Sequence, residues 1–298
     1  MESKRLIHTL RIKNLLSFGD EGEQIDLQPL NVLIGPNASG KSNLIEVFRL
    51  LRAAPGALAN PIRDGGGISE WLWKGGAPNP VAEIDTTVAY SQGSDLLRYH
   101  LCFRMVSQRL EIVSEAIDVG DHKTIDGSGI SVGGERSILS QRKDPVHHPE
   151  ITYLGEVFSK IGIYPEWNLG IYGLVRKPQG ADLPTDALRE DALNLGLILN
   201  NLPHNARQPI VEQLKQVYDA VEDIHPKVEG GTVQIYLHER GLPQPISALR
   251  LSEGTLRYLC WLTLLNQPVL PPLLCLEEPE VGLHPDVIRT IAELLIKA

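Results

Sequence analysis

The sequence predicts an α/β fold: a mixed β-sheet carrying an antiparallel β subdomain, with a helical insertion lobe. Three observations predict it. Gly35-Pro36-Asn37-Ala38-Ser39-Gly40-Lys41-Ser42 fits G-x-x-x-x-G-K-[ST], the phosphate-binding loop (P-loop), between an apolar run and a helical repeat. Ile84, Thr86, Val88 and Tyr90 alternate, as do Leu97, Tyr99, Leu101 and Phe103 after Gln92-Gly93-Ser94-Asp95, which predicts a hairpin. Pro272-Leu273-Leu274-Cys275-Leu276 is an apolar run ending in Glu277 and Glu278, as a buried strand ends at the phosphate edge of an α/β sheet.

In chain order, residues 5 to 14 alternate and predict a half-buried strand, with Leu6, His8, Leu10 and Ile12 on one face. A turn at Ser17 to Gly22 leads to a second strand at Ile25 to Leu27. Leu30 to Ile34 reads as a buried strand, and Leu44, Val47, Phe48 and Leu51 place a helix after the P-loop. Trp71-Leu72-Trp73 lies in an irregular connection between Gly65-Gly66-Gly67 and Gly75-Gly76, and residues 108 to 117 add a third antiparallel strand. Gly120 to Gly134 is a loop or a short further hairpin. Residues 149 to 225 are mostly helical in pattern, with one helix over 186–200 and a clearer one carrying Ile210, Leu214, Val217 and Val221 on one face. Pro165, Pro178 and Pro184 mark an irregular connector, and Val233, Ile235 and Leu237 alternate as a strand.

The chemistry follows from residue types. Glycines let backbone N–H groups close around phosphate oxygens, and a helix N-terminus adds partial positive charge. Lys41 is placed to reach the β- and γ-phosphates, and Ser42 to ligate Mg²⁺. Of the two acids, Glu277 is the candidate to hold Mg²⁺, usually through water, although an Asp is commoner there. Glu278 is the candidate to orient and deprotonate an attacking water. Leu251-Ser252-Glu253-Gly254-Thr255-Leu256-Arg257 opens a helix over 256–265; taken alone it reads as an ordinary Ser-capped N-terminus, which also suits an anion.

Composition excludes other classes. A net charge of −9 argues against a basic nucleic-acid coat, although a local basic groove is compatible with it. Three scattered cysteines lack metal-ligand spacing and suit a reducing cytoplasm. The N-terminus leads into no long apolar run, so no signal peptide is expected. No stretch reaches eighteen apolar residues, so no membrane span is expected either.

The order of motifs resembles ABC-type ATPases. More specifically, Asn14 to Phe18, Leu30 to Asn43, Leu251 to Arg257, Glu277-Glu278-Pro279-Glu280 and Leu283-His284-Pro285 resemble the RecF/SMC-like group. The short, hinge-less bacterial "AAA family ATPase" proteins are most similar, several of which act in DNA repair or phage defence. Trp71 to Gly75, Leu139 to Arg142 and Glu190 to Leu195 are also similar to that group, so the resemblance covers nearly the whole chain. It implies a P-loop NTPase of ABC/RecF type in three parts: an ATPase lobe over 1–135, a mainly helical insertion over 136–225, and a lobe with signature and Walker B motifs over 226–298.

The resemblance also implies ATP and Mg²⁺ as cofactors. Gly35, Pro36, Asn37, Ala38, Ser39, Gly40, Lys41, Ser42 and Asn43 would cradle the nucleotide, with Lys41 and Glu278 catalytic and Ser42 and Glu277 at the metal. Gln141 resembles a Q-loop glutamine that senses Mg²⁺ and the γ-phosphate; as an isolated residue it reads equally as a surface group. Ser252 and Gly254 would cap the γ-phosphate held by a second subunit, so two ATPs would be sandwiched in a head-to-tail homodimer. His284 falls where the family has its D-loop, or is a surface residue at a helix start. The family continues with a strand ending in a switch histidine, whereas no histidine follows His284, so slow hydrolysis is an expectation. The main expectation is an ATP-gated ATPase; the alternative is a nucleotide-binding switch with little turnover acting on an effector protein. DNA is a further candidate partner, through Arg136, Arg142 and Lys143. A transporter subunit is disfavoured by Leu-Ser-Glu-Gly-Thr, Glu-Glu-Pro-Glu and the helical insertion.

Overall fold

Alternating side chains build most of the first half of the chain. In the computed structural model, which describes residues 5–91, 96–120 and 123–298, the chain divides into two compact units, Met1–Ile161 and Gly162–Ala298. The division falls inside the stretch 136–225 that the family resemblance grouped as one lobe.

The first unit contains β1 (Ile7–Lys13), β2 (Glu23–Asp26), β3 (Ala82–Ala89), β4 (Leu96–Val106), β5 (Arg109–Val119) and β6 (Lys123–Asp126), all antiparallel to their neighbours in the order β2-β1-β3-β4-β5-β6. Its helices are α1 (Lys41–Ala53), α2 (Ala59–Asp64), α3 (Ile68–Trp71), α4 (Ile138–Gln141) and α5 (Pro149–Ser159). Leu10, Ile12, Ile84, Val88, Leu97, Leu101 and Phe103 form the buried sheet face, and Leu44, Val47, Phe48 and Leu51 bury the inner face of α1. The hairpin, the third antiparallel strand and the α1 repeat are therefore as expected. The turn assigned to Gln92–Asp95 lies outside the described residues.

Local patterning misled in four places. A bulge between Ile7 and Thr9 shifts the register of β1, so Ile7 rather than His8 is buried. Leu30 to Ile34 form no strand: Val32 is 74% and Ile34 91% exposed. The run has the side chains of a buried strand, but none of the described strands pairs with it, and without a ladder its backbone stays irregular. One short helix, α3, lies in the connection expected to be irregular around Trp71.

The fourth correction concerns the second unit. It holds β7 (Gly162–Tyr164), β8 (Gln179–Gly180), α6 (Leu195–Asn201), α7 (His204–Leu214), β9 (Val221–Glu229), β10 (Thr232–Glu239), β11 (Ile246–Ser247), α8 (Glu253–Leu265), β12 (Leu274–Leu276) and α9 (Pro285–Lys297). The clear helix ends at Leu214, and Val221 opens β9 instead of extending it. β9 pairs with β10 from Val221 to Glu229, a long-range ladder that outweighs the local helical spacing. The helix expected over 186–200 begins only at Leu195. Before it, Asn194 donates to the carbonyls of Pro184 and Ala187 (both 2.8 Å) and accepts from the Arg189 N–H (2.9 Å), which ties 184–194 into a loop. Nearly every residue of α8 from Leu256 on is buried, in a core shared with Ile198, Ile210, Leu214, Ile224, Ile235 and Val287.

One buried carboxylate holds the first unit together. Glu115, fully buried on β5, accepts from the Tyr99 hydroxyl (2.6 Å), the Ser137 hydroxyl and the Ile138 N–H (2.8 Å). Burial, followed by the adjacent Glu115 charge, pushes the Tyr99 hydroxyl well above its usual range, so it stays a donor. The network fixes the start of α4, which carries Gln141. Glu115→Ala strands at least two buried donors. It is expected to cost about 2–4 kcal/mol in urea unfolding, with Glu115→Gln costing less.

Candidate nucleotide site

The P-loop turns on two glycines. Gly40 adopts φ 91°, and a Cβ there would lie 2.6 Å from Ser17 Oγ; one on Gly35 would lie 2.8 Å from Ser39 Oγ. Ala38 is also left-handed at φ 66°, the kind of backbone strain that collects in ligand-binding loops. Lys41 Nζ donates to the carbonyls of Gly35 (2.8 Å) and Pro36 (2.9 Å), which holds the ammonium over its own loop.

The fit to a polyphosphate can be tested on α1. No side chain caps its N-terminus and no acid stands in its first turn, although it runs for 13 residues. Its first N–H groups and its dipole are thus left to an anion, and residues 35–39 are all exposed. The residues fit. Among the described residues no group of three His, Cys, Asp or Glu side chains could hold a metal by itself. Mg²⁺ does not need one, since it is usually shared between one or two protein oxygens, phosphate oxygens and water. The Ser42 hydroxyl, next to Lys41 in the first turn of α1, is the P-loop oxygen for it.

Gln141 closes the short helix α4. Its amide nitrogen donates to the carbonyls of Ile130 (3.1 Å) and Arg136 (2.8 Å), which leaves the amide oxygen as the atom suited to a metal.

In the second unit, β12 pairs in parallel with β7, and the Glu277 N–H extends the pairing to the Tyr164 carbonyl (3.1 Å). Glu277 is half-buried at the strand end, while Glu278 is exposed and left-handed at φ 44°. For a Glu this conformation is uncommon and strained, and it starts the turn that ends at His284. His284 caps α9, accepting from the Asp286 N–H (3.3 Å), so its helix-start reading is realised.

The same turn meets the start of α8. Ser252 is its N-cap: Oγ accepts from the Thr255 N–H (3.0 Å) and lies 2.7 Å from Thr255 Oγ1. The capping reading of Ser252 is therefore correct as structure, and a hydroxyl that accepts from its own helix can still donate outward. A Cβ on Gly254 would lie 2.9 Å from the Gly282 carbonyl, so glycine lets the helix approach the acid turn.

Two arginines that sequence reasoning left without a role support this corner. Arg257 is buried in α8; it pairs with Glu253 (3.0 Å) and its Nε would meet a Cβ on Gly282 at 3.0 Å. Arg176, also buried, donates to the carbonyls of Leu169 (2.7 Å), Gly170 (2.9 Å), Ala248 (3.3 Å) and Leu251 (2.5 Å), and so anchors the residue before Ser252. Arg257 closes the Leu251–Arg257 segment. Arg176 stands in a Gly/Pro-rich connector with no signal of its role.

The P-loop thus lies in the first unit, and the Ser252 helix and the acid turn lie together in the second. The family model described as "AAA domain, putative AbiEii toxin, Type IV TA system" matches residues 30–126 and 133–298. The chain belongs to this AAA domain family. The AAA domain has the fold of SMC heads. It superposes on the SmcHead solved with the C-winged helix domain of ScpA with a TM-score of 0.59 and 13% identity, covering 98% of this chain and 86% of that one. An Smc head with an extended coiled coil, bound to the C-terminal domain of ScpA derived from Pyrococcus furiosus, gives 0.56 and 12%, over 98% and 86% of the chains. No curated protein matches the sequence. Among the described residues no helix of the AAA domain is long and apolar enough to cross a membrane.

Proposed function

We propose that this AAA domain binds ATP with Mg²⁺ and hydrolyses it as a head-to-tail homodimer in the cytoplasm. In this reading the loop from Gly35 to Asn43 cradles the phosphates, and Lys41 neutralises the β- and γ-oxygens. Ser42, Glu277 and the Gln141 amide oxygen are the groups that would hold Mg²⁺, which would neutralise phosphate charge. Glu278 orients and deprotonates the attacking water.

One observation carries the dimer. α8 is buried from Leu256 to Leu265, but Ser252 and Glu253 at its N-terminus are exposed. One P-loop leaves part of a triphosphate's charge uncompensated. The Ser252 hydroxyl and the α8 N-terminus of a second copy, brought close by Gly254, would complete its shell. Gel filtration of Glu278→Gln with ATP and Mg²⁺ at micromolar protein tests this. A species of twice the monomer mass is expected; a strictly monomeric one rejects the dimer.

The family description names a toxin of a type IV toxin–antitoxin system. With the RecF/SMC resemblance, this supports a role in phage defence or DNA repair, with DNA or an effector protein as partner. Duplex DNA titrated at two salt concentrations in the presence of ATP should bind more weakly at high salt; binding insensitive to salt rejects a phosphate-tracking groove.

A further inference from the structure

The solvent-facing side of the first unit's sheet carries a constellation unrelated to the P-loop. Asp85 on β3 stands opposite His100 on β4, and Cys102 lies two residues further along the same face. His100 Nδ1 is 2.9 Å from Asp85 Oδ1, and His100 Nε2 is 3.0 Å from Cys102 Sγ. The three groups form a line of nucleophile, imidazole and orienting carboxylate. A carboxylate at Nδ1 fixes the ring so that Nε2 faces the sulfur.

The surroundings maintain the line. Arg98 pairs with Asp85 (3.2 Å). The other acid next to the thiol, Glu83, is engaged by Lys13 (3.5 Å) and Arg11 (3.8 Å), which draws its charge away from the sulfur. Arg104 is held by Glu111 (2.8 Å), and on β5 the register sets Ser114 opposite Cys102, Ala116 opposite His100 and Asp118 opposite Arg98. Cys102 keeps 8% of its surface on this face, enough for a small reagent.

We propose that Cys102 and His100 form a thiolate–imidazolium pair, oriented by Asp85, that reacts with hydrogen peroxide. The sulfur attacks one peroxide oxygen; the S–O bond forms and the O–O bond breaks. The departing hydroxide takes the imidazolium proton and leaves as water. Sulfur loses two electrons and becomes a sulfenic acid, while the peroxide is reduced. The hydrogen bond to Asp85, followed by that to Cys102, pushes the His100 imidazole up to about 10, so it remains a cation at neutral pH. Burial alone would raise the Asp85 carboxyl, but His100 and Arg98 outweigh it and hold it below its usual range. Cys260 is fully buried, which makes it the internal control.

The test is a peroxide pulse on the full chain from pH 6 to 8, quenched with catalase, then denatured, alkylated and read by peptide mass spectrometry. Loss of the Cys102 thiol should be nearly flat with pH. It should be at least about tenfold faster at pH 6 than in His100→Gln, and also faster than in Asp85→Asn, with Cys260 untouched. A wild-type rate that climbs about tenfold per pH unit, as for an ordinary thiol, overturns the proposal. So does a rate unchanged in both variants, or one no faster than that of Cys260. The wild-type profile decides alone if a variant fails to fold.

Discussion

Lys41→Ala should weaken Mg²⁺–ATP binding by roughly a hundredfold or more, the equivalent of about 3 kcal/mol. The ammonium sits at the start of α1, held by the carbonyls of Gly35 and Pro36, directly over the loop. In the proposed complex it exchanges these neutral acceptors for anionic phosphate oxygens, and charge-assisted bonds of this kind are the strong ones. Its removal also leaves the phosphates facing an N-terminus whose dipole supplies only part of a unit charge. The fold should be little affected, because Lys41 is only half-buried and its bonds run to the carbonyls of its own loop. Equilibrium titration with nucleotide, beside a urea melt of the same variant, separates the two effects. Loss of binding with an unchanged midpoint is the expected result.

Glu278→Gln should do the converse. Nucleotide binding should persist, while phosphate release should fall at least about a hundredfold, the lower end of what a positioned general base contributes. Glu278 is exposed at the end of β12 in a left-handed conformation, so amidation removes no packing. It does remove the carboxylate proposed to take the proton from the attacking water. If turnover measured against the Lys41→Ala background does not change, Glu278 is not the base.

Much of this was legible in the chain because it is local. The P-loop, the α1 repeat, the β3–β4 alternation and the Ser252 cap each depend on residues within one helix or hairpin. The failures are long-range. Leu30 to Ile34 carry strand side chains, but a strand needs a partner, and apolar content does not supply one. Val217 and Val221 continue the helical spacing of Ile210 and Leu214, yet the ladder to β10 captures Val221. Arg176 reaches carbonyls more than 70 residues away, at Ala248 and Leu251, so nothing near it in the sequence announces its role. Glu115 likewise meets Ser137 and Ile138 only after the sheet and α4 have packed. Asp85, His100 and Cys102 join only through the β3–β4 register, since no motif spacing links them.

The measurement that bears most directly on the account is a calorimetric titration of the full chain with ATP in the presence of Mg²⁺. Saturable heat at one nucleotide per chain, lost in Lys41→Ala, is the predicted result. No heat and no saturation would contradict it.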